Sequence, residues 1–180
     1  MNYDSNCLIV IENGQLNTYA LDDRLVWEVG RLSKDNIPDI NLKSTTISRK
    51  HGKFQNVDGI WFYVDYNGKN GTVYNDKHIA AGLNGRAKPI IITDGDIFVF
   101  GGGEKAVISN KTVWAFFVNK TIDAKWSVID TSEQDSVNIE IENTTIVFDE
   151  MKKGTIVEKN QGIVIYMGDL TYINGNVKVG

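Results

Sequence analysis

The sequence predicts an all-β fold, and three features of the chain lead to this prediction. Short runs of β-branched and aromatic residues recur along it, namely CLIVI, IWFYV, IFVF, VWAFFV and IVIYM. Apolar and polar residues alternate in VNIEIE, which is typical of a strand with one buried face. Turn pairs such as Asn13-Gly14, Asn67-Gly68 and Asp94-Gly95 separate the runs. Many short strands joined by glycine turns indicate a β-sandwich.

Length and composition indicate a globular protein. The chain has 180 residues, of which 42% are hydrophobic and 23% charged, so it can bury one ordinary core or two small ones. Cys7 is the single cysteine, which excludes an internal disulfide and favours a reducing compartment. The first fourteen residues have no cationic start and only a short apolar run, and no other run is long enough to span a membrane. We therefore expect a cytoplasmic protein without direct membrane insertion.

Charge is distributed unevenly along the chain. Residues 31–90 hold ten Lys and Arg against five Asp and Glu, whereas residues 121–180 hold five against ten. A short basic zone suits one local anionic group better than a nucleic-acid backbone, which requires extended neutralisation. The charge pattern alone is also compatible with a solvated mixed surface. We expect no nucleic-acid partner.

The segment ISRKHGKF, residues 47–54, combines a serine, basic residues and a histidine. It suggests either a nucleophile and its base, Ser48 and His51, or a cradle for an anion. A serine hydrolase also needs an oriented histidine and an oxyanion hole, and the sequence supports neither. The sequence therefore predicts no enzymatic activity.

The sequence offers weak support for other chemistry. The glycines at 101–103 are not followed by a helix pattern or by Gly-Lys-Ser/Thr, so a turn is predicted there rather than a nucleotide site. Cys7, His51 and His78 are too few and too scattered for a set of metal ligands. We predict no cofactor and no metal.

Three separated motifs give the anion cradle a family context. In order along the chain they are Gly30-Arg31, Ser48-Arg49-x-His51, and Asn70-Gly71-Thr72 with Asn75 shortly after. With DGDIFVFG downstream, they resemble the forkhead-associated (FHA) family over roughly residues 6–118. The resemblance implies a β-sandwich of about eleven strands whose loops, at one end, capture a phosphothreonine peptide. Residues 1–120 are thus predicted to be an FHA domain that binds a threonine-phosphorylated protein or peptide.

The resemblance also implies roles for individual residues in contact with the peptide. Arg31 supplies the anchoring cation, and its planar fork suits a phosphate with three acceptor oxygens. Ser48 adds a hydroxyl bond, Arg49 a second charge or a contact to the peptide backbone, and Asn70 a bond to the peptide main chain. Lys69 departs from the family pattern, which usually has serine or threonine there, and we expect it to contact the phosphate at longer range.

Four further residues are assigned by the resemblance to structural support of the binding loops. They are Gly30, His51, Gly71 and Asn75. His51 is expected to hold the loops through side-chain hydrogen bonds, and Gly71 to permit a turn that a Cβ atom would obstruct.

Residues 121–180 resemble part of the first unit at an offset of 99 positions. WSVIDTSEQDSVNIEIENTTIV then aligns with WEVGRLSKDNIPDINLKSTTIS without a gap, and seven of the 25 positions from Trp27 to His51 are identical. YINGNVKV, at 172–179, also resembles the family's hairpin after the Asn-Gly turn. We interpret 121–180 as a degenerate or incomplete FHA-like β unit; the alternative is an unrelated β-extension that caps the first domain.

The second unit lacks the residues that would hold phosphate. Ile129-Asp130 replaces Gly30-Arg31, and Val147-Phe148-Asp149-Glu150 replaces SRKH. Carboxylates at these positions would repel a phosphate dianion.

The sequence therefore predicts a module for phosphorylation-dependent protein–protein interaction in signalling. The alternative is a phosphorylation-independent pair of docking units, since tandem FHA units at a cytosolic end are reminiscent of the membrane ATPases of type VII secretion. The sequence does not name the partner, the kinase or the oligomeric state.

Overall fold

The structure is a computed structural model, and it describes residues 5–80, 87–102, 112–122, 125–132, 138–147, 152–175 and 177–179. The chain divides into two compact units, unit 1 (Met1–Thr121) and unit 2 (Ile122–Gly180). The described residues include no helix that is long and apolar enough to span a membrane.

Eleven strands and one short 3-10 turn, Leu21–Asp23, make up the described part of unit 1. The strands are β1 (Cys7–Glu12), β2 (Gln15–Ala20), β3 (Val26–Gly30), β4 (Ile40–Asn41), β5 (Gly52–Val57), β6 (Ile60–Asp65), β7 (Thr72–Tyr74), β8 (Lys77–His78), β9 (Ile90–Ile91), β10 (Ile97–Phe100) and β11 (Val113–Val118).

The strands of unit 1 form two sheets. The described residues give one sheet the order β2-β1-β11-β10-β7-β8 and the other the order β4-β3-β5-β6-β9. Neighbouring strands are antiparallel except β3 and β4, which run parallel. The predicted all-β sandwich of about eleven strands is confirmed.

Alternating side chains of the two sheets build the core of unit 1. Leu8 and Val10 of β1, and Ala115 and Phe117 of β11, belong to the same buried cluster as Phe54 of β5. This period of two is the one expected when successive side chains of a strand point to opposite faces.

Phe98 lies at the centre of the aromatic part of this core. Its ring centroid is 5.3 Å from that of Phe54, 4.9 Å from that of Tyr63 and 5.1 Å from that of Tyr74. Because Phe54 and Tyr63 come from one sheet and Phe98 and Tyr74 from the other, these contacts join the two layers.

Strand register brings five strand ends to one edge of unit 1. The end of β3 and the end of β6 both lie beside the first residue of β5, since Val29 and Asp65 pair with Gly52. In the other sheet, the end of β10 pairs with the start of β7 through Phe100 and Thr72. The loops that leave these ends, residues 31–39, 42–51 and 66–71, therefore carry the predicted motifs.

Unit 2 is also β-rich. Its strands are β12 (Trp126–Asp130), β13 (Asn138–Ile141), β14 (Thr144–Val147), β15 (Thr155–Lys159), β16 (Gly162–Tyr166), β17 (Leu170–Gly175) and β18 (Lys178–Val179). Among the described residues they form a four-stranded sheet, β12-β17-β16-β15, and a three-stranded sheet, β14-β13-β18. The buried side chains of both sheets meet in one cluster, which comprises Ile139, Ile141, Ile146, Val164 and Ile173.

Strand pairing in unit 2 differs from that in unit 1. The 99-residue offset aligns β12 with β3, yet β12 pairs with β17, whereas β3 pairs with β4 and β5. The descent of residues 121–180 from an FHA domain stays a prediction. Phe148, Asp149 and Glu150, on which part of that prediction depends, lie outside the described residues.

Replacing Phe98 by alanine is expected to lower the free energy of unfolding by about 3–5 kcal/mol, because a buried aromatic ring leaves a cavity between the sheets. Urea denaturation followed by circular dichroism measures this loss. Phe62→Ala is the matched control, since Phe62 is only half-buried on β6 and should cost less than half as much. Equal losses for the two variants would contradict the central position of Phe98.

Candidate functional site

Gly30 allows the end of β3 to approach the loop that carries Ser48. A Cβ atom on Gly30 would lie 1.9 Å from the carbonyl oxygen of Arg49, which no side chain tolerates. Backbone bonds join the same two segments, from the Arg31 N–H to the Ser48 carbonyl at 3.2 Å and from the His51 N–H to the Val29 carbonyl at 2.9 Å. Glycine is required here by the contact between backbones.

Arg31 is half-buried and held at one point of its guanidinium. Its Nε–H donates to the Ile47 carbonyl at 3.0 Å. Within the described part of the chain, no carboxylate lies within 4.0 Å of this side chain. The guanidinium is thus held in place, and no acid among the described residues compensates its charge.

Ser48 joins two of the loops. Its Oγ accepts a hydrogen bond from the Lys69 backbone N–H at 3.2 Å, so the hydroxyl hydrogen remains to donate elsewhere. The approach is close, since a Cβ atom on Gly68 would lie 2.6 Å from that Oγ. The Lys69 side chain itself is exposed, and its predicted contact with a phosphate stays a prediction.

His51 is fully buried behind Ser48 and uses both ring nitrogens. Nδ1 accepts from the Ser48 N–H at 3.2 Å, which places the proton of the neutral ring on Nε2. Nε2 lies 3.0 Å from both the Gly71 carbonyl and the Thr72 hydroxyl oxygen. The ring therefore ties the loop of Ser48 to the loop of Gly71.

Asp65 completes this buried hydrogen-bond chain. The Thr72 hydroxyl donates to its Oδ1 at 2.7 Å, the Tyr63 hydroxyl donates to the same atom at 2.8 Å, and the Asn67 N–H donates to Oδ2 at 3.2 Å. Three donors satisfy a carboxylate that is only 4% exposed. The chain from Ser48 to Asp65 thus has a donor for each buried acceptor.

Burial lowers the pKa of His51 below its ordinary value near 6.5, because desolvation disfavours the imidazolium. The negative charge of Asp65 and the bond to Gly71 act in the opposite direction but do not cancel this effect. The three hydrogen-bond partners of the two ring nitrogens fit the neutral ring.

Asn70 and Gly71 fix the third loop. The side-chain amide of Asn70 donates to the Thr46 carbonyl at 3.0 Å. Gly71 has φ of 71°, and its carbonyl also accepts from the Gly101 N–H at 3.0 Å. Asn70 therefore ties its loop to the loop of Ser48, and its contact with a peptide main chain stays a prediction.

Asn75 lies away from these loops, at the turn between β7 and β8. Its side chain donates to Asp96 at 3.0 Å and accepts from the Ile97 N–H at 2.8 Å. It has φ of 46°, a region that asparagine adopts more readily than most residues. The contacts of Asn75 support the β7–β10 pair, which carries Thr72, rather than the loops themselves.

Arg49 and Lys50 are both exposed, and both line one cavity. The cavity has a volume of about 580 Å³. Its lining comprises Glu28, Val29, Asn36, Ile37, Pro38, Arg49, Lys50 and Tyr66. The backbone of Arg49 is fixed as well, since the Asn36 side-chain amide donates to its carbonyl.

The geometry does not pair Ser48 with His51 as nucleophile and base. Nδ1 of His51 contacts the backbone N–H of Ser48, and Nε2 faces Gly71 and Thr72. No group of three His, Cys, Asp or Glu side chains placed to hold a metal occurs among the described residues. Gly101 directly follows β10 and has φ of 81°, as a turn residue does.

Sequence reasoning missed several residues that build the site. Asp65 ends the buried hydrogen-bond chain, Gly68 permits the contact at Ser48, and Asn36 holds the backbone of Arg49. Glu12, on β1, accepts from the Lys43 and Ser44 backbone N–H groups. One signal was available: alternation along IWFYVD places Asp65 on the inner face with Trp61 and Tyr63.

Comparison with protein-family models identifies the FHA domain at residues 27–101, which includes every loop residue described above. Residues 27–101 of this chain are an FHA domain, a class of interaction module. A comparison with curated proteins finds no match.

Among solved structures, the yeast Pml1 splicing factor matches with a TM-score of 0.51 and 23% identity, covering 64% of this chain and 79% of that one. Full-length yeast Pml1p matches with a TM-score of 0.51 and 22% identity, covering 63% of this chain and 81% of that one. A third match is the amino-terminal FHA domain of S. cerevisiae Rad53p in complex with a phosphothreonine peptide. Its TM-score is 0.46 and its identity 19%, and the match covers 63% of this chain and 93% of that one. The two Pml1 structures support the fold of unit 1.

Acidification should destabilise unit 1 through His51. A histidine whose pKa is lower in the folded than in the unfolded protein contributes stability that is complete above the unfolded value, near 6.5, and is lost as pH falls toward the folded value. Urea unfolding at pH 7.5, 6.5 and 5.5 should show a declining free energy of unfolding. The His51→Asn variant should be less stable than wild type at pH 7.5, and its free energy of unfolding should fall less on acidification. Parallel pH profiles for the two proteins would contradict the assignment of this pH dependence to His51.

Proposed function

We propose that unit 1 binds phosphothreonine peptides at the loop edge formed by residues 31–39, 42–51 and 66–71. The observation that carries this proposal is the pair of Arg31 and Ser48. The guanidinium of Arg31 is half-buried and anchored, and it has no acidic partner among the described residues. It lies in the same backbone-bonded corner as the Ser48 hydroxyl, whose hydrogen is available.

The residue types suit a phosphate monoester. At neutral pH it carries close to two negative charges and offers three strong acceptor oxygens. A hydrogen bond from a charged guanidinium contributes about 1.5–3 kcal/mol, more than a bond from a neutral hydroxyl. Arg31 is then the main anchor and Ser48 a second donor, with the Lys69 side chain at longer range.

The fixed loops support binding rather than catalysis. The buried bonds of His51, Thr72 and Asp65 hold the site in one arrangement before any ligand arrives. Binding then loses little free energy to loop ordering, so a few charge-assisted bonds suffice for a useful affinity. The match of residues 27–101 to the FHA family supports the same conclusion.

Unit 2 is proposed to take no part in phosphate binding. Asp130 is the last residue of β12, aligns with Arg31 at the 99-residue offset, and is exposed. Hydrogen bonds from the Ser132 side chain and backbone lower the pKa of Asp130, so the carboxylate is ionised at neutral pH.

Arg31→Ala should weaken binding of a phosphothreonine peptide at least tenfold, or about 1.4 kcal/mol, because the fixed cation is lost. Ser48→Ala should weaken binding of the same peptide less, by a few-fold. Isothermal titration calorimetry measures both, with Lys77→Ala as the control for loss of one exposed cation on β8. Wild-type affinity in Arg31→Ala, or equal affinity for the unphosphorylated peptide, would overturn the proposal and favour phosphorylation-independent docking.

Phosphothreonine should bind more tightly than phosphoserine at the same position. FHA resemblance implies a small apolar recess for the γ-methyl group, and burying one methyl contributes about 0.8 kcal/mol, or roughly fourfold. The β-branched side chain also restricts χ1, which adds to the preference. Competition between two otherwise identical peptides gives the ratio, and a ratio of one would remove the recess while leaving phosphate capture intact.

A further inference from the structure

Strand β2 is the long open edge of unit 1. The strands at the edges of its two sheets are β2 and β8 in one sheet and β4 and β9 in the other. Three of these edge strands have two residues each, whereas β2 has six. Within the described ranges, no strand pairs with the side of β2 that faces away from β1. Very short edge strands protect a sheet from pairing with another molecule, and β2 lacks this protection.

The backbone bonds of the β1–β2 hairpin decide which groups of β2 point outward. The two residues of its turn both have positive φ, 51° and 76°, so the flanking Glu12 and Gln15 form a hydrogen-bonded pair. The Leu21 N–H donates to the Asn6 carbonyl at 2.9 Å, in phase with this pair. Because hydrogen-bonded and non-hydrogen-bonded pairs alternate in an antiparallel ladder, the odd-numbered residues of β2 bond β1 and the even-numbered ones face the open edge.

The edge residues of β2 are therefore Leu16, Thr18 and Ala20. Leu16 and Thr18 each direct an N–H and a C=O away from the sheet. Ala20 directs its N–H outward, whereas its carbonyl lies at the start of the 3-10 turn. These main-chain groups bond water until another extended strand replaces it.

The sequence of β2 suits pairing with a second copy of itself. QLNTYA contains no charged residue and no proline, so two copies do not place like charges opposite each other. In an antiparallel pair centred on Thr18, the two Thr18 residues lie opposite each other, and Leu16 lies opposite Ala20, a large side chain against a small one. The threonines then exchange main-chain bonds, and each Ala20 N–H donates to the Leu16 carbonyl of the other copy.

We propose that the protein forms a homodimer through β2, in which the six-stranded sheets of two copies join across a two-fold axis. This inference goes beyond phosphopeptide binding and does not depend on it.

The dimer has a consequence for the orientation of the two loop edges. The hairpin turn before β2 lies at the loop edge, since Glu12 accepts from the Lys43 and Ser44 N–H groups of the loop 42–51. Antiparallel pairing of β2 therefore directs the loop edges of the two copies toward opposite ends. Such a dimer holds two separate partner molecules and does not place both of its edges on one short peptide.

Sedimentation velocity of the full-length chain, without peptide, tests the dimer. Between about 5 and 500 µM the mean mass should rise from the 20.1 kDa of one chain toward twice that value. Thr18→Pro should stay monomeric over the same range, because proline removes an outward N–H and no bond to β1. Thr18→Ala is the matched control, since it keeps that N–H, and its dimer should be weaker than the wild-type dimer by no more than about fivefold.

Disulfide cross-linking tests the register and does not need the proline variant. Thr18→Cys brings two thiols opposite each other on Cα atoms about 5.5 Å apart, which is within the range of a disulfide. On mild oxidation it should give covalent dimer at least about tenfold faster than Lys77→Cys, on the exposed short edge β8 of the same sheet. Cys7 is buried, and burial raises the pKa of its thiol to about 11, so wild type should give no covalent dimer.

Three results would overturn the proposal. They are a wild-type mass of one chain at every concentration, a folded Thr18→Pro variant that dimerises as wild type does, and equal cross-linking rates for Thr18→Cys and Lys77→Cys. If circular dichroism shows that Thr18→Pro does not fold, the cross-linking rates decide.

Discussion

The buried hydrogen-bond chain from the Ser48 N–H through His51 and Thr72 to Asp65 is the interaction on which the loop edge of unit 1 depends. Its members come from the loop before β5, the end of β6 and the start of β7. A buried polar group that loses its partner costs about 1–3 kcal/mol. Since the loop before β5 and the two strand ends each supply one side of such a bond, none of the three can leave its position without that cost.

The same hydrogen-bond chain separates the charged side chains of the loop edge by depth. Asp65 is directed inward, where Tyr63, Thr72 and Asn67 supply three donors. Three cations that have no acidic partner among the described residues lie outside this layer, with Arg31 half-buried and Arg49 and Lys50 exposed. An inner acid that is satisfied by hydrogen bonds does not compete for the outer cations, which remain available to an anionic ligand.

Two units with similar local sequence differ in strand pairing. WSVID forms β12 as WEVG forms part of β3, because both have the composition of a short strand. The partner of β12 is nevertheless β17, and the partner of β3 is β5. Local composition decides that a segment is extended, whereas the choice of neighbour depends on which apolar faces can be covered together.

The sequence by itself determined the β-rich architecture and the order of the motifs, because strand periodicity and glycine turns are local properties. The structural role expected for His51 came from the family resemblance. Only the tertiary structure decided where Arg49 and Asn75 lie. Arg49 is adjacent to Ser48 in sequence but lines a cavity with Asn36 and Tyr66, and Asn75 bonds Asp96 rather than the loops. Asp65 and Asn36 were not predicted, since their partners lie 7 and 13 residues away. Such contacts arise from sheet register and loop closure, which bring together residues whose proximity no local pattern records.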